Sequence, residues 1–165
     1  AAAVTAVGFV TVPLVLAIPI PGVRSIPPAP FYGLLMAIGA LKVRKPGSIL
    51  IIAFLNGLIL LMMSPLMFAN NVVAGLLTEA IVLLLFRNYE RERAVLVGAG
   101  IYMPLTIPAN FIVAIWVGGE YFQHFLLQSW MVLGTVAATA LLSFLGAWGG
   151  IRIGRELRRA GVLRA

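Results

Sequence analysis

The sequence lacks cysteine and aspartate, and it contains a single histidine and few charged residues of any kind. Without cysteine there are no disulfides, no thiolate nucleophile and no thiolate metal ligands. One histidine leaves little for hydrolysis or metal chemistry, and no phosphate loop, HExxH or GxSxG motif is present. We therefore expect no enzyme activity, no metal site and no cofactor. A chain without a nucleotide site is also not expected to be a primary pump by itself.

The chain instead has an excess of apolar residues: 62% of its 165 residues are hydrophobic and 10% are charged. A soluble domain of this size has too little interior to bury them, so most of the apolar surface must face lipid. Lipid offers no hydrogen bonds to the backbone, and the apolar runs are too continuous for a barrel. The sequence predicts a single all-α membrane domain.

Six apolar stretches approach the length of about 20 residues that a helix needs to cross ~30 Å of hydrocarbon. The first lacks the basic start and cleavage site of a signal peptide, so we interpret it as a retained span. Prolines and glycines mark the first, second and fifth breaks, Ser64, Pro65, Asn70 and Asn71 mark the third, and the charged run RNYERER over residues 87–93 marks the fourth. We predict a compact bundle of six transmembrane helices over residues 2–18, 30–43, 48–67, 72–86, 94–116 and 125–151, with a basic tail over residues 152–165.

The basic residues are distributed unequally between alternate connections of this topology. Eleven of the 12 fall on one side and only Arg24 on the other, which places both termini in the cytoplasm by the positive-inside rule. This topology accounts for the net charge of +7, so we expect no nucleic-acid partner. The eleven are Lys42, Arg44, Lys45, Arg87, Arg91, Arg93, Arg152, Arg155, Arg158, Arg159 and Arg164.

Glu79 is the most informative polar residue, because it lies near the middle of the fourth predicted span, where an unpaired carboxylate is costly. It should face the bundle interior, and Gly75, one turn away, would leave space beside it. Two interpretations remain open: a ligand contact or proton site, and a structural carboxyl that ties two helices together.

The fifth span aligns Tyr102, Thr106 and Asn110 at intervals of four residues, which predicts a polar stripe. Pro104 and Pro108 remove backbone donors in the same stretch, and such irregularity often lines a cavity. The alternative is a structural kink with hydrogen bonds between helices.

Further candidates lie on the sixth span and at the start of the fourth. His124 and Gln128 are near the predicted outer end and are the better ligand candidates, while inner hydroxyls more often bond to their own helix. Asn70 and Asn71 either cap the fourth span or close over a ligand. The inner hydroxyls belong to Thr135, Thr139 and Ser143.

The polar residues predicted for the outer half include amides, one histidine and one carboxylate but a single basic residue. This set suits a neutral or cationic solute and disfavours phosphates and polycarboxylates, which need Arg or Lys. The predicted substrate-binding residues are Glu79, Asn70, Asn71, Tyr102, Thr106, Asn110, His124 and Gln128.

Two terminal features predict contacts with other molecules. Ala2 and Ala6 lie four residues apart and give the first span a smooth face on which another helix can pack. The alternative for this face is packing within the bundle. The basic tail is partly amphipathic, and we expect it to lie on anionic membrane lipid.

The six-span layout, the AxxxA pair Ala2 and Ala6, and the ending GAWGGIRIGRELRRAGVL resemble the substrate-binding S components of energy-coupling-factor vitamin transporters. The resemblance implies a prokaryotic cytoplasmic membrane protein that binds a vitamin or precursor near the outer face, under extracellular loops. It implies partners too: a transmembrane scaffold subunit, contacted through Ala2 and Ala6, and two cytoplasmic ATPases. A carboxylate such as Glu79 would pair with an aminopyrimidine or cationic ring, so thiamine or its pyrimidine precursor is the first expectation; riboflavin and other flat heterocycles remain open.

Two other functions remain open from the sequence. In an autonomous proton-coupled carrier, Glu79 would be the coupling site and the protein would work as a homodimer. In a non-transport assembly protein, the alanine face would serve contacts with other proteins.

Overall fold

The computed structural model describes residues 25–117 and 129–161, together with Ala3, Ala6, Val7 and Val10. Within these residues the chain forms five helices and no strand, which confirms the predicted all-helical class. Three of the five, α3 to α5, are long and apolar enough to cross a membrane, whereas α1 and α2 are shorter. Most of the first predicted span lies outside the described residues. The helices are α1 (Ala29–Val43), α2 (Ser48–Leu61), α3 (Pro65–Phe86), α4 (Glu92–Val117) and α5 (Ser129–Arg159).

The break between α2 and α3 lies nearer the N-terminus than predicted. Helix α2 ends at Leu61 and α3 begins at Pro65, preceded by Ser64 in an extended conformation, so Asn70 and Asn71 are inside α3. Proline is well suited to the first turn of a helix, since it has no N–H to leave unpaired there. Asparagine, in contrast, only lowers helix propensity slightly and does not end a helix. The predicted boundaries at 67 and 72 were therefore wrong, and α3 has 22 residues.

Short connections make consecutive helices from α1 to α4 antiparallel neighbours. Helix α2 packs mainly on α3, α3 on α4, and α4 on both α1 and α5, while the most extensive contact joins α1 to α5. The core lies between these helices and combines small side chains with a few large ones. Its fully buried members include Met36, Ala37, Ile49, Ala74, Val82 and Val95.

Glycines explain the close contact between α1 and α5. A Cβ atom added at Gly146 would lie 2.6 Å from the carbonyl carbon of Pro30, and one added at Gly150 would lie 2.5 Å from the carbonyl oxygen of Leu34. On α1, a Cβ added at Gly33 would lie 3.0 Å from the backbone nitrogen of Ala147. The backbones thus touch directly along this pair, as in small-residue packing between membrane helices.

The basic tail is not a separate segment on the lipid surface, because α5 continues through it to Arg159. Arginine, leucine and glutamate favour helix, and α5 continues through Gly154 and ends shortly before Gly161, which has a φ of 73°. Helix α5 has 31 residues and is therefore ~46 Å long, about half as long again as the hydrocarbon layer. Its last turns project beyond the apolar part of the bundle and carry the arginines with them.

Candidate functional site

A buried hydrogen-bond network joins three helices. The side-chain oxygen of Asn71 on α3 accepts hydrogen bonds from the amide of Asn56 on α2, at 2.9 Å, and from the hydroxyl of Tyr102 on α4, at 2.8 Å. The amide nitrogen of Asn71 donates to the carbonyl of Met67 at 2.9 Å. Two of the predicted substrate-binding residues, Asn71 and Tyr102, are therefore brought into direct contact.

Helix α1 adds a fourth residue to this network. The ring of Tyr32 is stacked on that of Tyr102, with 6.4 Å between centroids and an interplanar angle of 7°, and its hydroxyl is hydrogen-bonded to Asn56. We refer to Tyr32, Asn56, Asn71 and Tyr102 as the polar cluster. All four side chains are buried, and each comes from a different helix.

Asn56 and Tyr32 were not among the predicted site residues. Asn56 is the one polar side chain after Ser48 in the helix SILIIAFLNGLILL, and an amide inside such an apolar run needs a partner within the protein. The position of a single amide in an otherwise apolar helix is the sequence feature that could have identified Asn56. The next residue is Gly57, where an added Cβ would lie 3.3 Å from the Cβ of Asn71, so this glycine lets α2 approach α3 closely. The distance between the two amides depends on this approach.

Of the three residues in the predicted polar stripe on α4, Tyr102 alone belongs to the polar cluster. The hydroxyl of Thr106 donates to the carbonyl of Met103 in its own helix at 2.6 Å, and Asn110 is exposed. A helix turns ~100° per residue, so positions four and eight residues later are displaced by ~40° and ~80° from the first. This drift turns Asn110 away from the cluster. Pro104 and Pro108 lie within α4, which remains a single helix.

Asn70 and Asn71 do not cap a helix, because both lie in the second turn of α3 and beyond. Asn71 faces the cluster, whereas Asn70 is half-buried. The side-chain oxygen of Asn70 is buried without a hydrogen-bond partner in the described part of the chain. Neither residue closes over a ligand as a loop would.

Glu79 lies outside the polar cluster, eight residues beyond Asn71 towards the C-terminal end of α3. Its carboxylate accepts hydrogen bonds from the backbone N–H of Gly47, at 2.6 Å, and of Leu50, at 3.4 Å, and from the hydroxyl of Tyr89, at 3.0 Å. Gly47 is the N-cap residue of α2, with a φ of 88°, and has no side chain to cap the helix itself. One carboxylate from α3 thus caps α2 and favours the structural interpretation of Glu79.

The surroundings of Glu79 are filled. Gly75 leaves no space beside it, contrary to expectation, because a Cβ added there would lie 2.7 Å from the Cβ of Ala53 on α2. Tyr89, on the connection between α3 and α4, is fully buried against the carboxylate. Burial, and then the neighbouring charge and hydrogen bond of Glu79, raise the pKa of the Tyr89 phenol well above its usual value.

The hydroxyls of α5 differ from one another. Thr135 donates within its own helix, to Met131 and Val132, as expected for an inner hydroxyl. Ser143 instead donates to the carbonyl of Ala99 on α4 at 3.2 Å and so links two helices. Thr139 is fully buried, and its hydroxyl has no partner among the described residues.

The remaining predicted site residues are less informative. His124, Gln128 and Ala2 lie outside the described residues, and Ala6 is exposed. Among residues 25–117 and 129–161 no group of three or more potential metal-ligating side chains is found.

The described residues form an all-helical bundle in which three helices are long and apolar enough to cross a membrane, with polar side chains gathered between the helices. Comparisons with protein-family models, curated proteins and solved structures found no match.

Proposed function

We propose that this protein is a membrane-embedded capture subunit that binds a small, uncharged solute between its helices. The observation that carries the proposal is the polar cluster, in which α1 to α4 each place one hydrogen-bonding side chain in the apolar interior. Polar groups at membrane depth are costly, and they commonly mark a solute pathway. Asparagine has two N–H donors and two lone pairs, so Asn56 and Asn71 can exchange mutual hydrogen bonds for bonds to a solute.

The proposed topology has six spans with both termini in the cytoplasm of a prokaryotic cell. The ends of α1, α3 and α5 and the starts of α2 and α4 lie together at one end of the bundle, which we call the basic end. Ten of the eleven basic residues assigned to the cytoplasm are described, and they lie in or beside these segments. The positive-inside rule then orients the basic end to the cytoplasm.

The composition of the cluster favours an uncharged, flat heterocycle as the solute. Tyr32 and Tyr102 offer aromatic rings, and the asparagines offer amide donors and acceptors. The expectation of thiamine depended on Glu79 as partner of a cationic or aminopyrimidine ring. The carboxylate already accepts two hydrogen bonds at the start of α2 and one from Tyr89, which makes it a poor partner for such a ring. Riboflavin-like heterocycles are therefore better supported than thiamine.

Delivery of the solute is proposed from the sequence resemblance to energy-coupling-factor S components. In this proposal a scaffold subunit packs on the face that contains Ala2 and Ala6, and two ATPases supply the energy. Exposure of Ala6 is compatible with such a contact. A proton-coupled carrier that uses Glu79 is less well supported, because the carboxylate is occupied by backbone donors.

Native mass spectrometry of gently purified protein tests the capture proposal, and we expect a co-purified heterocycle of vitamin size. A thermal-shift panel with riboflavin, thiamine and pyridoxine should then give a larger shift with riboflavin. Tyr102→Phe keeps the ring but removes the hydroxyl, and it should weaken solute binding at least tenfold, or roughly 1.4 kcal/mol. The control is Asn110→Ala, an exposed position on the same helix.

Three outcomes would contradict the proposal. The first is protein that retains no small molecule and responds to none of the panel, which would favour an assembly role. The second is an equal affinity for Tyr102→Phe and Asn110→Ala. Uptake by the protein alone that collapses with a protonophore would replace the capture subunit with an autonomous carrier, whereas co-purification with a scaffold and ATPases supports the subunit.

A further inference from the structure

Three helix ends meet at the basic end around a single carboxylate. Glu92, in the first turn of α4, forms an ion pair with Arg155 of α5, whose Nε lies 3.1 Å and 3.2 Å from the two carboxylate oxygens. The guanidinium groups of Arg44 and Arg158 are also close enough to interact electrostatically with Glu92. One negative charge is thus surrounded by three positive charges.

The packing of α1 on α5 fixes this arrangement. A Cβ added at Gly154 would lie 2.5 Å from a methyl group of Leu41, so the end of α1 lies beside the segment of α5 that contains Arg155 and Arg158. Arg44 follows directly as the C-cap residue of α1, with a φ of 50°. A positive φ is unfavourable for residues other than glycine, yet an arginine occupies this position.

The guanidinium group of Arg44 is incompletely satisfied. Its Nε is buried and has no hydrogen-bond partner in the described part of the chain. Glu90 and Glu156, which lie within two residues of Glu92 and Arg155 in the sequence, are exposed and form no ion pair within residues 25–117 and 129–161. A buried guanidinium donor without an acceptor is costly. The group of arginines around Glu92 is therefore suited to receive an additional anion.

The group of arginines around Glu92 lies at the depth of the headgroup layer of a membrane. Helix α5 is ~46 Å long and so extends past a hydrocarbon layer of ~30 Å. Trp148, half-exposed on α5, has the guanidinium carbon of Arg152 3.7 Å from its ring centroid. Tryptophan with a stacked arginine is typical of the boundary between hydrocarbon and headgroups. The arginines that follow on α5 therefore lie among headgroups.

We propose that Arg44, Arg155 and Arg158 form a binding site for the phosphate group of an anionic membrane lipid at the junction of α1, α4 and α5. Arginine forms paired N–H bonds to phosphate oxygens, and Glu92 holds the Arg155 guanidinium in place beside the site. A lipid phosphate supplies the acceptor that the Nε of Arg44 lacks. The site requires only that the chain lie in a membrane and is independent of the proposed solute.

The test measures the thermal stability of the full chain in micelles containing phosphatidylglycerol or phosphatidylcholine. For the unaltered protein, phosphatidylglycerol should raise Tm more than phosphatidylcholine does. Arg44→Gln or Arg158→Gln should reduce this difference by at least half. Arg93→Gln is the matched control, because it removes the same charge from an exposed residue at the same end, and it should leave the difference unchanged.

The comparison contains its own check on folding. In phosphatidylcholine, Arg44→Gln should unfold at a temperature no lower than that of the unaltered protein, because it loses a buried donor that has no acceptor. If Arg44→Gln does not fold, Arg158→Gln provides the test. An equal loss in Arg93→Gln would show diffuse attraction and overturn the site. An equal shift with millimolar inorganic phosphate in neutral detergent would overturn the lipid assignment and identify a free-anion site instead.

Discussion

Alanine substitutions at Gly146 and Gly149 should change stability in opposite directions, although the two glycines are three residues apart on α5. At Gly146 an added Cβ would lie 2.6 Å from the carbonyl carbon and 2.7 Å from the Cα of Pro30. At Gly149 an added Cβ meets no described atom within 4 Å. The two substitutions make the same chemical change, so they differ only in what the new methyl group meets.

The expected magnitudes follow from two terms. Replacing a helical glycine by alanine stabilises the helix by about 1 kcal/mol, because the unfolded chain loses conformational freedom. Gly149→Ala should retain this gain. At Gly146 the methyl group overlaps backbone, which cannot rotate away as a side chain can, so α1 and α5 must separate. Overpacking of this kind costs about 1–3 kcal/mol net. The two variants should therefore differ by about 2–4 kcal/mol.

Unfolding of both variants in mixed micelles with increasing SDS, followed by circular dichroism, measures this difference under one set of conditions. Gly146→Ala should unfold at a lower SDS fraction than the unaltered protein, and Gly149→Ala at a higher one. Equal stability of the two variants would show that α1 and α5 do not touch at Pro30, and the close packing of this pair would be refuted.

Three further substitutions test the polar groups. Glu79→Gln keeps one acceptor oxygen but loses the charge at the start of α2, so it should destabilise the protein by about 1–3 kcal/mol. A cysteine introduced at Ser48 should then react faster with maleimide, and unchanged labelling would exclude the capping role of Glu79. The raised pKa of Tyr89 means that the folded protein keeps a proton that the unfolded chain loses above pH ~10, so stability should fall as pH rises past that value, and Tyr89→Phe should make the fall less steep in alkaline melts. Thr139→Val removes a buried hydroxyl without a partner among the described residues and should raise Tm, whereas a lower Tm would reveal a partner for the hydroxyl.

Much of the fold could be predicted from composition and from the positions of helix-breaking residues. The apolar excess indicates helices in lipid, and Pro46 and Gly47 place the break between α1 and α2 where the structure has it. The next break was misplaced because two asparagines were given the weight of helix breakers. A polar residue occurs at position 71 for a different reason: Asn71 is hydrogen-bonded across the bundle to residues 15 and 31 positions away. A contact so distant in sequence leaves no local pattern.

The candidate site was predictable only in part, since residue type indicates the need for a partner but does not identify the partner. Tyr102 was expected to face a polar interior, and it is buried there, whereas Asn71 was expected to cap a helix or close over a ligand and is instead buried between helices. The spacing on α4 predicted that Asn110 would join them, but the accumulated rotation of the helix turns it outward. The glycines at 146 and 150 are readable as small-residue packing only once their partner helix is known, because the sequence does not show which helix they face.

The two buried polar centres differ in how easily they can exchange partners. Glu79 is held by backbone N–H groups at the start of α2, and those donors have no other acceptor once the carboxylate leaves, so replacing it would leave a helix terminus unpaired. In the polar cluster the bonds between helices join side chains, which can rotate, and both an amide and a hydroxyl can act as donor and acceptor. A solute that supplies the same groups can therefore replace these bonds without loss of helix structure. An intramembrane carboxylate is thus a weaker indicator of a binding site here than two neutral asparagines, because what a site needs is hydrogen-bonding capacity that the fold itself does not require.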